Sequence, residues 1–249
     1  MIAPTRAADG ERETGGSLAD ASSRIVVHAG PSLRRMDVHS LRSLAETVGR
    51  GLELRPPVRR HDLLELAVAA PVQVVMLDGE FGQRLAVSIS EIREVLAAGQ
   101  RLTGAASMGA LRAVECRTLG MTGSGWVYEQ YLSGAIESDA EVALLYDPDD
   151  YTPVTIPLVN LRWLLDEEVR EGLLLADMAA AALHVARGLH FRDRRPDVLL
   201  RQWKRELSAK AVTVLEPELS SERIDVWDRK RLDAVAAVQI ALVSEAGIL

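Results

Sequence analysis

The feature that most constrains the fold is an alternation of short apolar, β-branched segments with segments of helical periodicity between residues 24 and 115. The predicted strands are Arg24–Ala29, Leu52–Val58, Val72–Asp78 and Arg101–Ala106. The predicted helices are Met36–Val48, His61–Ala69, Ser88–Ala98 and Gly109–Leu119. Strands that alternate with crossover helices pair in parallel, and the handedness of the crossovers places helices on both faces. The pattern therefore predicts an α/β fold with a doubly wound, mostly parallel sheet in the N-terminal half.

After about residue 125 the strand pattern fades and helical periodicity dominates. The predicted helices of this part are Trp126–Ser133, Leu161–Leu175, Asp177–Gly188, Pro196–Ala209 and Ser221–Val243. We therefore expect an α/β core over residues 24–125 and a mainly helical C-terminal region, residues 126–249, packed on it. Residues 1–23 are rich in glycine, serine and alternating charges, which is typical of a mobile tail.

Composition excludes several classes of function. The net charge of −7 gives no overall electrostatic support for a nucleic-acid partner. A single cysteine, Cys116, cannot form an internal disulfide and is typical of a reducing cytoplasm. No apolar stretch reaches the ~18 residues of a membrane span, so we expect no membrane partner.

The sequence also lacks the usual cofactor motifs. One cysteine and scattered histidines do not provide the spacing of a zinc site. Neither a Walker A loop nor the Gly-x-Gly-x-x-Gly pattern is present. We therefore expect no metal and no cofactor of the protein's own.

Polar segments follow all four predicted strands, at residues 28–33, 56–62, 77–81 and 104–110. The carboxyl ends of parallel strands meet at one edge of a sheet, where ligands bind. We therefore expect the polar groups of these segments to share one crevice.

The most informative segment runs from a strand into a helix through small residues, with Ser107 at the turn. Three interpretations remain open for this serine. It could cap the helix, belong to an anion-binding helix start, or act as a nucleophile in a turn like the Gly-x-Ser-x-Gly elbow. A nucleophile needs a base within reach, and no candidate histidine has a recognisable spacing. The candidates are His28, His61, His184 and His190.

The helix after this turn carries further polar and reactive side chains. Arg112 could pair with Glu115 three residues on, or reach back to an anion at Ser107. Cys116 shares a face with Arg112 and is either a reactive thiolate or a small buried hydrophobe.

Charged side chains also follow two other strands. Asp78 could orient a ligand, act as a base, or cap the turn made by Gly79. Arg59 could help to clamp an anion. A basic segment over residues 187–205 is either a solvated face or a docking surface for an acidic partner.

At these same segments the sequence resembles the TfuA-like protein family. The resemblance rests above all on residues 104–115, Gly-Ala-Ala-Ser-Met-Gly-Ala-Leu-Arg-Ala-Val-Glu, and on Leu-Asp-Gly-Glu-Phe at residues 77–81. It extends over roughly residues 24–162, and the helical remainder is much less diagnostic.

The resemblance implies a function that periodicity alone cannot indicate. TfuA-like proteins act beside YcaO enzymes, which use ATP to activate a peptide amide that then becomes a thioamide. The implied role is to supply the sulfur: the protein hydrolyses a thiocarboxylated ThiS-like sulfur carrier and delivers sulfide to YcaO. The protein then contacts the precursor peptide through YcaO. The implied pathway is cytoplasmic natural-product biosynthesis.

Applied to this chain, the resemblance implies catalytic roles for Ser107, Arg112, Asp78 and Glu115. The implied ligand-binding residues are Ser32, Gly79, Met108, Gly109, Arg59, Asn160 and Arg162.

Two departures from the family pattern favour alternatives. Many relatives have Trp-His-x-Glu where this chain has Val-Ser-Ile-Ser-Glu at residues 87–91, so a histidine is absent there. The family's doubled acid before Glu-Val-Ala is Ser-Asp-Ala at residues 138–140 here, so one carboxylate is missing. One alternative is therefore a non-catalytic scaffold or allosteric activator of YcaO, with Arg194 and Arg195 in the docking surface. Another is an unrelated α/β hydrolase that uses Ser107.

Overall fold

The fold is described from a computed structural model that covers residues 24–69, 72–82 and 84–244. The predicted tail, residues 1–23, lies outside this range. The strands are β1 (Arg24–His28), β2 (Gly51–Arg55), β3 (Gln73–Met76), β4 (Arg101–Ala105) and β5 (Thr122–Ser124). The helices of the sheet-forming half are α1 (Arg35–Thr47), α2 (Leu64–Ala67), α3 (Ile89–Ala97) and α4 (Met108–Glu115). Those that follow are α5 (Trp126–Leu132), α6 (Leu158–Arg170), α7 (Ala176–Arg187), α8 (Pro196–Glu206), α9 (Ala209–Glu218), α10 (Ser221–Trp227) and α11 (Arg229–Val243).

The five strands form one sheet in the order β2-β1-β3-β4-β5, and every neighbouring pair is parallel. This arrangement confirms the predicted α/β class and the parallel sheet. The edge strand β5 was missed, because Thr-Gly-Ser carries no apolar pattern and pairs only with the end of β4.

Helices cover both faces of the sheet. Side chains alternate along a strand, so Val26 of β1 faces one layer while Ile25 and Val27 face the other. The layer around Val26 contains buried side chains of α2 to α5. The opposite layer is filled by α1 and by the distant helix α11. The last described helix is thus a core element of the N-terminal sheet.

Helices α6 to α10 pack around a second apolar core. Trp203 is fully buried there, and its indole N–H donates to the Ala182 carbonyl oxygen at 3.0 Å. No helix among residues 24–244, as far as these are described, is long and apolar enough to span a membrane.

Several helix predictions were wrong in their bounds. The predicted helix 161–175 is Leu158–Arg170 in the structure, and the predicted helix 109–119 is Met108–Glu115. The predicted helix 61–69 is only α2, because His61 has a positive φ of 78° and the chain is not helical before residue 64. The predicted helix 221–243 is divided at Asp228, whose side chain accepts the Arg231 N–H and caps α11. Helix α9 starts where the predicted 196–209 helix was expected to end, and Ser208 caps it.

Candidate functional site

The candidate site lies where β1, β3 and β4 end on one edge of the sheet. The strand order reverses between β1 and β3, and ligands of open α/β sheets bind outside the carboxyl ends of strands at such a point. A parallel bridge between Val58 and Gly79 also brings the segment after β2 against the end of β3. Segments after all four predicted strands therefore approach one another.

Asp78 connects two of these segments. Its carboxylate is buried and accepts the backbone N–H groups of Gly30 and Ser32, each at 2.9 Å. It also accepts the Ser32 hydroxyl at 2.7 Å. Both oxygens of Asp78 are thus occupied in holding the β1 loop, so the geometry indicates a positioning role for Asp78 and Ser32.

Ser107 lies at a constrained turn between β4 and α4. The preceding Ala106 has a φ of 66°, a left-handed conformation that costs a non-glycine residue roughly 1–2 kcal/mol. Ser107 is buried, and its hydroxyl makes no capping hydrogen bond to the helix. The interpretation of its side chain as a cap is therefore wrong, and its hydroxyl is left for other chemistry.

The amides at the start of α4 are only partly available to an anion. The N–H of Gly109 donates to the Leu77 carbonyl oxygen at 3.1 Å, and that of Ala110 donates to the Ser107 carbonyl oxygen at 3.0 Å. In the described part of the chain, the N–H of Met108 has no acceptor. One amide next to Ser107 therefore remains free to donate to a ligand.

Two glycines allow α4 to start this close to the sheet. A Cβ on Gly109 would lie 1.7 Å from the Met76 carbonyl oxygen. A Cβ on Gly104 would lie 2.0 Å from the Gly109 carbonyl oxygen. No other residue fits at either position without moving α4, which explains why the small-residue run at 104–110 sets the position of Ser107.

Ser107 and Asp78 line the same cavity of about 200 Å³. Its walls come from the loops after β1, β2 and β3, from the turn before α4, from segments 142–146 and 191–192, and from α11. The lining residues are Pro31, Pro57, Asp78, Gly79, Glu80, Phe81, Ser107, Val142, Leu144, Tyr146, Phe191, Arg192 and Lys230.

Lys230 is the unexpected member of this cavity. It lies near the start of α11, is buried, and donates from Nζ to the Val142 carbonyl oxygen at 2.9 Å. Burial lowers the pKa of Lys230, and the nearby Asp78 and Asp228 carboxylates oppose this shift only in part. The amine is thus easier to deprotonate than an ordinary lysine.

A buried network fixes the start of α11 and with it Lys230. The Asn160 side chain accepts the Lys230 backbone N–H at 3.1 Å and donates to Asp228 at 2.7 Å. Arg34, from the β1 loop, forms a 2.6 Å ion pair with Asp228. Asn160, predicted as a ligand-binding residue, therefore contacts the helix that carries Lys230 and does not line the cavity.

The rim of the cavity is polar and aromatic. The Tyr146 hydroxyl donates to Glu80 at 3.1 Å, and burial together with Glu80 raises the pKa of Tyr146 to about 12. Arg59, a predicted binding residue, also pairs with Glu80 at 3.3 Å, but it lines a neighbouring cavity. Arg192 is exposed at the rim and supplies a second positive charge.

The structure places no histidine in the Ser107 cavity among the residues it describes. His28 and His61 line the neighbouring cavity of about 610 Å³ instead, and burial lowers the pKa of His28. His184 and His190 are exposed. A serine–histidine pair at Ser107 is therefore not formed.

Arg112 and Glu115 lie further along α4 and do not line the cavity. They form an ion pair with each other, as one of the two interpretations expected. Cys116 is fully buried in the core, and burial raises the pKa of its thiol. The geometry brings none of these three to the Ser107 hydroxyl.

Of the remaining predicted binding residues, one lines the cavity and the others do not. Gly79 lines the cavity, and a Cβ there would lie 2.9 Å from the Met108 side chain. Arg162 is held by two hydrogen bonds to Glu141, at 2.7 and 2.8 Å, away from the cavity. Gly109 allows α4 to pack closely against the end of β3.

Lys230 was missed because it lies far along the chain from every strand end. A signal was nevertheless present: lysine occurs at only three positions, and Lys230 shares a helix face with Ala234, Ala237 and Ala241. A charged residue at the end of an apolar stripe indicates a buried charge with a specific role.

The polar groups of the cavity carry both signs of charge. The Ser107 hydroxyl and the buried Lys230 amine lie beside the carboxylates of Asp78 and Glu80, and the free amide of Met108 follows Ser107 directly in the chain. In the part of the chain that the structure describes, no group of three or more His, Cys, Asp or Glu side chains could hold a metal ion.

A comparison with protein families connects this geometry to known sequences. Residues 78–195 match the sequence model of the family described as TfuA-like protein. The matched range includes Asp78, Ser107 and Asn160, and it ends before Lys230. No curated protein matches the chain.

Proposed function

Because the chain belongs to the TfuA-like protein family, we propose that it supplies sulfur for peptide backbone thioamidation by a YcaO enzyme. In this proposal it hydrolyses a thiocarboxylated ThiS-like sulfur carrier and delivers the sulfide to YcaO. The carrier and YcaO are its protein partners, and it contacts the precursor peptide through YcaO. The protein needs no cofactor of its own for this reaction.

The observation that carries the proposal is the cavity that Ser107 and Lys230 share. A volume of about 200 Å³ is smaller than a typical drug-sized ligand site of roughly 300–1,000 Å³. It suits the end of an extended chain better than a folded domain. A C-terminal thiocarboxylate is such an end, and its negative charge complements Lys230 inside and Arg192 at the rim.

The residues around the cavity fit this chemistry. The Met108 N–H follows Ser107 directly and can donate to an oxyanion that develops on the attacked carbon. Asp78 holds the β1 loop through both of its carboxylate oxygens. Arg112 and Glu115 support α4 from outside the cavity.

Sulfide release from the thiocarboxylated carrier tests the proposal. We expect the protein to release sulfide faster than the carrier alone, and Ser107→Ala to reduce the rate by about 100-fold or more. Ser133→Ala, at an exposed serine, is the matched control and retains the wild-type rate. Release no faster than that from the carrier alone would remove the enzymatic part of the proposal.

The exposed basic surface favours a second candidate function, activation of YcaO by docking. Arg195 and Arg205 are exposed on a chain of net charge −7. Arg194, expected in the same surface, is instead buried and donates to the Leu189 carbonyl oxygen, so its replacement tests folding and not docking.

Charge reversal separates the two candidates. If docking is the function, Arg195→Glu with Arg205→Glu abolishes the complex with YcaO, whereas Arg93→Glu on α3 leaves it intact. In the presence of free sulfide, thioamide formation then depends on formation of the complex with YcaO and does not depend on the Ser107 hydroxyl. Unchanged binding of the double variant contradicts the docking candidate.

A further inference from the structure

We propose that a second cavity, at the carboxyl ends of β1 and β2, binds a small organic diphosphate of the kind that a nucleoside diphosphate represents. The cavity has a volume of about 490 Å³, within the roughly 300–1,000 Å³ of small-molecule sites. Its walls come from the β1 loop, the end of β2, helix α1 and the loop that carries Tyr151. Among the described residues it shares no lining residue with the Ser107 cavity, so this site goes beyond the proposed function and does not depend on it.

A row of nitrogen donors on α1 forms one wall of this cavity. Arg35, His39 and Arg42 all line the cavity and are exposed. Spacings of four and three residues place them on the same face of the helix. Arg35 and Arg42 are two turns apart, about 10 Å along the helix axis, with His39 between them. This row is longer than one phosphate group, so it suits a ligand that carries two.

The two arginines of this row are unpaired. In the part of the chain that the structure describes, the guanidinium groups of Arg35 and Arg42 have no hydrogen-bond or ion-pair partner. The adjacent Arg34, by contrast, forms a 2.6 Å ion pair with Asp228. The arginine that stabilises the fold is thus paired, whereas the two that line the cavity are free to contact a ligand.

The charge of the cavity wall is positive, against a net charge of −7 for the whole chain. Among the described residues, Asp150 is the one carboxylate in the wall, and it is exposed and forms no ion pair. Arg55 also lines the cavity, but Glu53 and Glu65 pair with it. The two unpaired arginines therefore outnumber the carboxylate, and the cavity attracts an anion.

The rest of the wall is mostly apolar and includes one aromatic ring. Leu33, Val38 and Leu54 supply aliphatic surface. Tyr151 has a left-handed φ of 62°, a strained conformation of the kind that is retained at functional sites. Its ring lies close to the β1 loop, since a Cβ on Gly30 would be 3.2 Å from the ring atom Cδ1. An aromatic ring together with aliphatic side chains suits the planar body of a nucleotide base.

Together these features favour one class of ligand. A guanidinium group matches the oxygens of a phosphate bidentately, and two such groups suit two phosphates. A bare inorganic anion leaves the aromatic ring and the aliphatic surface without contacts. An acidic segment of a partner protein uses the row of charges but not the apolar wall. A nucleoside diphosphate has both a charged and a planar part, so it contacts the whole cavity.

Titration calorimetry with ADP as the probe tests the proposal on the full chain. We expect saturable binding of one ADP per chain, with pyrophosphate bound at least tenfold more weakly. Arg35→Gln with Arg42→Gln should weaken ADP binding by about tenfold or more, because both charge-assisted contacts are lost. Arg93→Gln with Arg117→Gln is the matched control. It removes the same charge at two exposed arginines outside the cavity and keeps the wild-type affinity.

Two results of this titration overturn the proposal. One is the absence of saturable binding at millimolar ADP. The other is an equal loss of affinity in the two double variants, since the effect is then one of net charge and not of the cavity. All four arginines are exposed, and a cooperative thermal transition in each variant shows that folded proteins are compared.

Tyr151→Asn tests the organic part of the ligand separately. Asparagine tolerates a left-handed φ, so the change removes the ring without adding backbone strain. We expect ADP binding to weaken by about fivefold or more, because stacking on the ring is lost, while pyrophosphate binding stays unchanged.

The remaining outcomes separate the ligand classes. Pyrophosphate that binds the wild type as tightly as ADP overturns the organic ligand. A hexaglutamate peptide that binds more tightly than ADP assigns the cavity to an acidic protein partner and overturns the small molecule. Because every readout is binding, these results are independent of sulfide release and leave the proposed function to its own test.

Discussion

At the scale of single residues, the Asp78 carboxylate holds the β1 loop to the end of β3 through three hydrogen bonds. Asp78→Asn keeps the shape of the side chain but replaces one carboxylate oxygen by an NH₂ group. This group faces N–H or O–H donors and cannot accept their hydrogen bonds. We expect it to lower the free energy of unfolding by about 2–4 kcal/mol, because bonds to a buried carboxylate are lost. Urea unfolding measures the change, and Asp149→Asn, at an exposed aspartate, should have little effect. Equal stability of the two variants contradicts this account of Asp78.

Gly109 carries the second prediction at this scale. A Cβ would lie 1.7 Å from the Met76 carbonyl oxygen, so Gly109→Ala must push α4 away from the sheet. We expect a loss of about 3 kcal/mol or more in the free energy of unfolding. Gly51→Ala is the control, since its Cβ would meet only ordinary contacts at 3.6 Å and beyond. A Gly109→Ala variant as stable as Gly51→Ala would show that α4 does not depend on this contact.

At the scale of elements, Arg231 of α11 joins Asp37 of α1 through two hydrogen bonds of 2.7 and 2.8 Å. Burial alone would raise the pKa of Asp37, but the bonds from Arg231 and from the Arg34 N–H outweigh it, and the pKa falls below 3.8. The pair therefore stabilises the fold fully above the unfolded-state pKa and loses its contribution as pH falls through the lower folded-state value.

Asp37→Asn tests this contact. We expect it to lower the free energy of unfolding by about 2 kcal/mol at pH 7, with a difference that shrinks below about pH 4. Glu46→Gln, at an exposed residue of the same helix, is the control and changes stability little at either pH. A difference that stays constant from pH 7 to pH 3 contradicts the ionised pair.

The elements with the strongest apolar patterns were the ones that could be predicted from the sequence. β1, β3 and β4 were predicted because buried parallel strands read as near-continuous apolar runs. β5 was not, because a three-residue edge strand needs only backbone pairing. The break between α10 and α11 was hidden, because Asp228 fits an exposed helix position until Asn160 and Arg34 are known to contact it.

At the scale of the whole molecule, α11 completes both the sheet layer and the candidate site. Its Ala234, Val238 and Leu242 fill the core on the face that α1 covers only in part. A chain ending at Trp227 lacks this helix and exposes Val27 and Leu77. We expect such a chain to lose its cooperative thermal transition and to bind a hydrophobic dye, whereas a chain ending at Ser244 keeps the transition. A cooperative transition in the shorter chain contradicts this role of α11.

The site could be predicted only in the part that strand ends define. Asp78 and Ser107 follow β3 and β4, and parallel strands bring such positions together whatever the rest of the chain does. Lys230 enters from a helix whose position depends on tertiary packing, which no local pattern specifies. The partner of Arg112 could not be predicted, because helical spacing shows that this side chain can reach Glu115 or Ser107 but not which of the two it contacts.

The narrow space around Ser107 has a consequence for selectivity. Ester and amide linkages are abundant in any cell, and a reactive hydroxyl on an open surface would meet many of them. Here the Ser107 hydroxyl lines a cavity of about 200 Å³ whose walls include Tyr146 and Phe191. A space of this size admits the end of a slender, unfolded tail and not a folded domain, so in the proposed function bonds within folded bystander proteins are protected by size alone.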